Sequence, residues 1–227
     1  MSKTDVTVVL AHGAWADGSS WARVIEQLRG HGVRALAAPL PLTSLEDDIV
    51  ALDRTIERAG GPVVLAGHAY GGAVIGAARA SQAKALVYVA AIAPDEGETV
   101  ADAFYRTDPH PSAPKLAPDA HGLIWLPEDA FATAFAPQAT ADEQAVLAAV
   151  QRPLAPASIM TPAVRPLWRD RPSWYLAAEQ DVMMTVQNQR FMAERMGART
   201  AFHPVDHTPM IAHPHLVTAT ILEAVAG

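Results

Sequence analysis

The chain has 227 residues, with 24 Asp or Glu against 17 Lys or Arg, so its formal net charge is −7. Half the residues are hydrophobic and 18% are charged, below the ~25% usual in soluble proteins, a balance that supports a sizeable core and excludes intrinsic disorder. An acidic chain without a basic run argues against nucleic acid or an anionic membrane as partner. The lack of cysteine excludes disulfides, thiolate metal sites and thiol nucleophiles.

Taken in order, short apolar runs alternate with helix-like stretches. Residues 6–11, 33–38, 62–66, 85–91, 173–177 and 200–205 read as strands buried on both faces. The first run is too short for a signal-peptide core, and the longest apolar run, Ala85 to Ala93, is less than half a membrane span. A soluble, cytoplasmic protein is expected. Between strands, Ser44 is placed to cap a helix with Asp47 at the capping-box position, Leu45, Ile49, Leu52 and Ile56 follow at helical spacing, and Gly60-Gly61 ends it. Residues 187–196 and 216–226 read as two further helices. This alternation predicts an α/β fold with a mostly parallel, doubly wound sheet in a single domain spanning 1–227. Residues 95–171 break the rhythm. They are proline-rich yet hold two helical stretches, near 128–135 and 141–151, and read as a lid inserted after the strand ending near Ala91.

The most informative segment is Val63-Val64-Leu65-Ala66-Gly67-His68-Ala69-Tyr70-Gly71-Gly72. A buried strand ends here and a helix carrying Val74, Ile75 and Ala78 begins just after the glycines. A strand-to-helix turn this sharp needs glycine two residues before and after its apex, and such an apex holds a nucleophile above the sheet in the pattern G-x-S-x-G. Here the apex is Ala69, whose methyl group cannot attack a carbonyl.

With Leu10-Ala11-His12-Gly13-Ala14-Trp15, Gly18-Ser19-Ser20-Trp21 and Asp206-His207-Thr208-Pro209-Met210 in the same order around the strands, the chain resembles the α/β-hydrolases over nearly its whole length. It is most similar to the branch of small-molecule methylesterases, hydroxynitrile lyases and related bacterial esterases. The resemblance implies an oxyanion hole from the N–H groups of Tyr70 and Ala14, with Trp15 the alternative to Ala14. It implies His207 as general base, His203 being a competitor within a strand, and Asp181 as the acid that orients it, with Glu179 and Asp95 as rivals. The order 69, 181, 207 matches that of the fold. His213 and His215 carry an H-x-H spacing without an evident third metal ligand, so no metal and no cofactor are expected. Asp206 reads as a turn former.

Two explanations of Ala69 are open. Either a serine has been exchanged for alanine, leaving a form that binds without turnover, or the alanine is native. In the latter case His207 with Asp181 serves lyase or cofactor-free chemistry, or the chain is a non-catalytic ligand-binding module. For the pocket, Trp15, Phe104, Tyr105, Trp125, Met160 and Met183 are the expected lining, with Phe131, Phe135 and Met184 as further candidates. That inventory favours a small, largely apolar ester or lactone as partner. Arg106 and Arg165 are the cations left open as carboxylate clamps, and a homodimer is also left open.

Overall fold

The computed structural model describes residues 5–227. Six parallel strands form one sheet in the order β2-β1-β3-β4-β5-β6: β1 Thr7–Ala11, β2 Arg34–Ala38, β3 Val63–His68, β4 Ala83–Val89, β5 Ser173–Ala178 and β6 Arg199–His203. The helices are α1 Ala22–Gly30, α2 Leu45–Ala59, α3 Gly71–Gly76, α4 Val100–Phe104, α5 Glu128–Ala130, α6 Ala141–Val150, α7 Ala157–Met160, α8 Val186–Arg195, α9 Pro209–Ala212 and α10 Pro214–Ala226. Among the described residues no helix is long and apolar enough to cross a membrane.

Alternation along the strands sorts the core into two layers. Val8, Leu10, Val64 and Ala66 face α1 and α10 on one side of the sheet. Val9, Ala11, Val63 and Leu65 face α2 and α3 on the other, in the layer that also takes in α8 and the segment between β4 and β5. Both layers are apolar, and for this reason β1, β3, β4 and β5 read as continuous hydrophobic runs. The outer strands differ from expectation. In β2 and β6 only Ala38 is buried, because an edge strand has a neighbour on one side and its outer residues meet solvent.

Local chemistry sets several boundaries. Ser44 Oγ accepts the Asp47 N–H at 3.0 Å, and Gly60 closes α2 at φ 75°. The Asp47 carboxylate takes the hydroxyls of Thr43 and Ser44 rather than the Ser44 N–H, so the capping box is incomplete. The two helical stretches expected between β4 and β5 are found at α6 and at α5, which runs on into a π-helical turn, Phe131–Phe135. Two short helices of this segment, α4 and α7, were not anticipated, nor were α1 and α9 outside it. For α4 the signal was present, since Thr99 and Asp102 form a complete capping box.

The chain steps from β1 outward to β2, then crosses back to pair β3 on the far side of β1. The crevice between the carboxyl ends of β1 and β3 is therefore the topological switch point, where open α/β sheets bind ligands.

Candidate active site

The loop after β1 (His12-Gly13-Ala14-Trp15) and the apex after β3 (Ala69) meet at that switch point. Ala69 is held at φ 48°, a conformation that costs an L-residue about 1–2 kcal/mol and places its side chain at the cavity above the sheet. The surroundings enforce it. The Ala69 N–H donates to Val89 O at 3.2 Å, and Ala69 O accepts from Gly72 N at 3.0 Å and Ile92 N at 2.9 Å. The flanking glycines follow from packing: a Cβ on Gly67 would lie 2.5 Å from Gly71 O, and one on Gly71 would lie 2.5 Å from Ala11 O.

Behind the cavity stands a buried polar cluster. His207 Nδ1–H donates to Asp181 Oδ2 at 2.8 Å, and Nε2 has no partner among the described residues. Asp181 Oδ2 also accepts Gln189 Nε2 at 2.9 Å, while Oδ1 accepts the N–H groups of Met183 at 2.8 Å and Met184 at 2.9 Å. Four donors thus fix the carboxylate. The His207 carbonyl accepts His68 Nε2–H at 2.8 Å, and the two imidazoles lie 4.8 Å apart between centroids. Burial, then the neighbouring His207, hold His68 well below the usual histidine range, so it is a neutral brace. Phe135, from the π-helical turn, packs against the His207 ring at 5.4 Å. Asp206 is buried and accepts the N–H groups of Thr208 at 3.0 Å and Gln138 at 2.8 Å. It is a turn former, as expected, and also a tie from the β4–β5 segment to the histidine loop.

The N–H groups of Tyr70 and Ala14 find no acceptor among the described residues, and both residues line the cavity with Ala69 and His207. The Tyr70 hydroxyl points away, donating to Asp48 Oδ2 at 2.6 Å. Burial pushes the Asp48 carboxyl up to about 6 against the opposing pull of the Tyr70 hydroxyl and the Leu42 N–H.

The rest of the lining is apolar. Trp15, Phe104, Tyr105, Met183 and Met184 reach the cavity, as do Ile92, Leu116, Ile124, Leu154 and Ile159, which sequence reasoning did not single out. Two expected lining residues do not. Trp125 is 44% exposed with its indole N–H on Asp119 Oδ2, because Ile124 takes the inward place in a β-bridge and its neighbour must face out. Met160 is 60% exposed at the end of α7, where Ile159 occupies the inward position. Phe131 and Phe135 are core residues rather than lining.

The remaining alternatives lie elsewhere. Glu179 is exposed, and Asp95 is engaged by Arg169 at 2.7 and 2.9 Å. His203 ends the edge strand β6 outside the cavity lining. Arg106 pairs with Glu98 and Arg165 with Asp170, so neither lines the cavity. His213 bonds Gln138 Oε1 at 2.9 Å, and among the described residues no group of His, Asp and Glu has the makings of a metal site. Asp48, Gln189 and Gln138 were missed, since each acts on a partner in another element of the fold and carries no local motif.

A strained strand-to-helix apex, an adjoining loop with free N–H groups and a buried His–Asp pair, all at the carboxyl edge of a parallel sheet, define the α/β-hydrolase class. The model of the alpha/beta hydrolase family matches residues 8–220, and the chain belongs to that family. Its fold is similar to a pyrethroid hydrolase from Sphingobium faniae JZ-2 (19% identity, 98% of each chain, TM-score 0.81). It is similar too to polyneuridine aldehyde esterase (18% identity, 96% of this chain and 98% of that one, TM-score 0.77) and to a methylesterase from Arabidopsis (15% identity, 97% and 99%, TM-score 0.80). No curated protein matches the sequence.

Proposed function

We propose that this chain is the frame of a carboxylic ester or lactone hydrolase for small, neutral, largely apolar substrates, in a form whose nucleophile position carries a methyl group. The observation that carries the reading is Ala69: a strained apex facing the cavity beside a His207–Asp181 pair at 2.8 Å. Ala90 is strained in the same way just after β4, but Ala69 alone of the two stands at the strand-to-helix apex and faces the cavity, the geometry that in this fold exposes a nucleophile.

With serine at 69, the chemistry follows from the neighbours. His207 Nε2 takes the hydroxyl proton as the oxygen attacks the ester carbonyl. The N–H groups of Ala14 and Tyr70 receive the developing oxyanion, and His207 returns the proton to the departing alcohol. Water, deprotonated by the same histidine, then releases the acid. With a methyl group at 69 the first bond cannot form, so the form in hand binds and does not turn over by this route. Among the described residues no Asp, Glu, Lys or Arg lines the cavity, and the Trp15 indole N–H is already spent on Ile124 O at 3.0 Å, which supports neutral substrates recognised by shape. No cofactor, metal or nucleic acid enters the scheme. The β4–β5 segment serves as its lid.

Calorimetry tests the binding half. An ester hydrolysed by the Ala69→Ser variant should bind the alanine form with an affinity near that variant's KM; absence of binding contradicts the reading. A second reading rests on the methyl itself: an intact base without a nucleophile suits proton abstraction, as in lyase or cofactor-free chemistry. Turnover of a cyanohydrin by the alanine form, lost in His207→Ala, would favour it.

A further inference from the structure

Among the described residues, four other than glycine have φ in the left-handed region: Trp15 (56°), Leu42 (61°), Ala69 (48°) and Ala90 (43°). Such conformations persist only where the surroundings over-determine them. Ala69 and Ala90 are held by the sheet, through Val89 O at 3.2 Å and Leu176 O at 2.9 Å. Trp15 and Leu42 lie in loops, and each is tied instead to the segment between β4 and β5. Trp15 Nε1–H donates to Ile124 O at 3.0 Å, and Leu42 O accepts the Ala155 N–H at 3.0 Å. Ile124 and Leu154 face each other in an isolated antiparallel bridge, with reciprocal N–H···O bonds of 2.9 Å.

The two ties therefore end on one small element, and their other ends lead to the two free N–H groups of the site. Trp15 directly follows Ala14. Leu42 N–H donates to Asp48 Oδ1 at 2.7 Å, and Asp48 Oδ2 accepts the Tyr70 hydroxyl at 2.6 Å. Asp48 and Tyr70 are both buried, so neither bond competes with water. The elbow is thus clamped from below by the sheet and from its side chain by α2.

We propose that the Ile124–Leu154 bridge is a shared clasp for both oxyanion donors, holding Ala14 through Trp15 and Tyr70 through Leu42 and Asp48, with Trp15 and Asp48 as positioning residues. The inference rests on the ester-hydrolase reading and adds a consequence to it: both donors are aligned together only while the bridge is closed over the substrate. Opening the segment slackens both at once. Charge stabilisation is thereby tied to a filled, covered pocket.

The test needs no nucleophile and uses the chain as it stands. Calorimetry at pH 8 compares methyl benzylphosphonate, a tetrahedral monoanion, with methyl phenylacetate, its neutral counterpart. The ratio of the two affinities reports anion stabilisation with the apolar contacts cancelled. Trp15→Phe and Tyr70→Phe each delete one hydrogen-bond donor from one arm. Each should lower the ratio about fivefold, since any change in apolar contact at the cavity wall falls on both ligands and drops out of the ratio. Because the arms share a bridge, the double variant should lose about five- to tenfold rather than the ~25-fold of independent effects. Should Tyr70→Phe fail to fold for stranding a buried carboxylate, Tyr70→Phe with Asp48→Asn breaks the same arm without the charge.

A role confined to stability would lower the melting temperature and leave the ratio alone, which overturns the clasp. So does a double variant equal to the product of the singles. A parent chain that binds the neutral ester without preferring the anion removes the oxyanion hole itself, and with it the ester-hydrolase reading. A parent preference that both variants keep removes only the clasp.

Discussion

The two walls of the cavity are built on different principles. The sheet-side wall (Ala14, Ala69, Tyr70, His207) consists of loops pinned at the carboxyl ends of β1 and β3 and beyond the carboxyl ends of β5 and β6. A Cβ on Gly67 or Gly71 would lie 2.5 Å from a backbone oxygen, and four donors hold the one carboxylate. The opposite wall (Val100, Phe104, Tyr105, Leu116, Ile124, Leu154, Ile159) comes from short helices and an isolated bridge; hydrogen bonds such as those of Trp15 to Ile124 O and Asn188 to Phe104 O tie its backbone down, while the side chains it turns to the cavity make chiefly apolar contact. A wall made of unique geometric solutions tolerates almost no change. A wall made of apolar contact can change its side chains and keep its form. On the proposed reading, this contrast gives the chemistry to the first wall and the choice of substrate to the second.

The contrast breaks if the sheet-side wall proves tolerant. In the Ala69→Ser form, Asp181→Asn should lower kcat by about 10⁴-fold, the loss seen when the orienting acid of an unrelated serine hydrolase is neutralised. Steady-state kinetics checks this, and a loss under tenfold would show that His207 is oriented by something else. Next comes Gly71→Ala. With a backbone oxygen where the new Cβ must go, the elbow has to shift, and stability should fall by about 3 kcal/mol or more in urea unfolding. A fall below 1 kcal/mol would mean that the elbow is not sterically set.

Asp48 gives a pH-dependent test. Burial raises its carboxyl to about 6 in the folded state, against about 3.9 in the unfolded chain. The folded protein thus binds this proton more tightly, so stability from this group is fully present below pH 4 and is lost as pH rises through 6. Asp48→Asn can still accept the Leu42 N–H and donate to the Tyr70 oxygen, without titrating. Relative to the parent, its stability should therefore improve between pH 4 and pH 7.5, by about 2–3 kcal/mol at most. An equal stability difference at both pH values would place the titration elsewhere. Smallest of all, the second wall sharpens the comparison. Ile159→Ala should lower kcat/KM of the Ala69→Ser form about tenfold on a bulky apolar ester. Met160→Ala, one residue on but facing solvent, should leave it within about twofold.

Legibility in the sequence followed the same division. The elbow could be placed because only glycine fits at 67 and 71, and the order of Ala69, Asp181 and His207 along the strands could be read before any contact was known. The edge strands were misread as fully buried, since short apolar runs look alike whether a neighbour lies on one side or both. Trp125 and Met160 were misassigned to the cavity. In an irregular segment no period says which of two adjacent apolar residues faces inward, and here it was Ile124 and Ile159. Asp48, Gln189 and Gln138 left no local trace, because their partners at 70, 181 and 206 come from other elements of the fold.

The most direct test of the account is to replace Ala69 with serine and assay both forms on a panel of aryl and methyl esters and lactones. The account predicts that the serine form hydrolyses several of them, at least about 10⁴-fold faster than the alanine form, and that the activity is lost on His207→Ala. A serine form that folds, binds these esters and hydrolyses none would contradict it, and would show that the strained apex is not a nucleophile's seat.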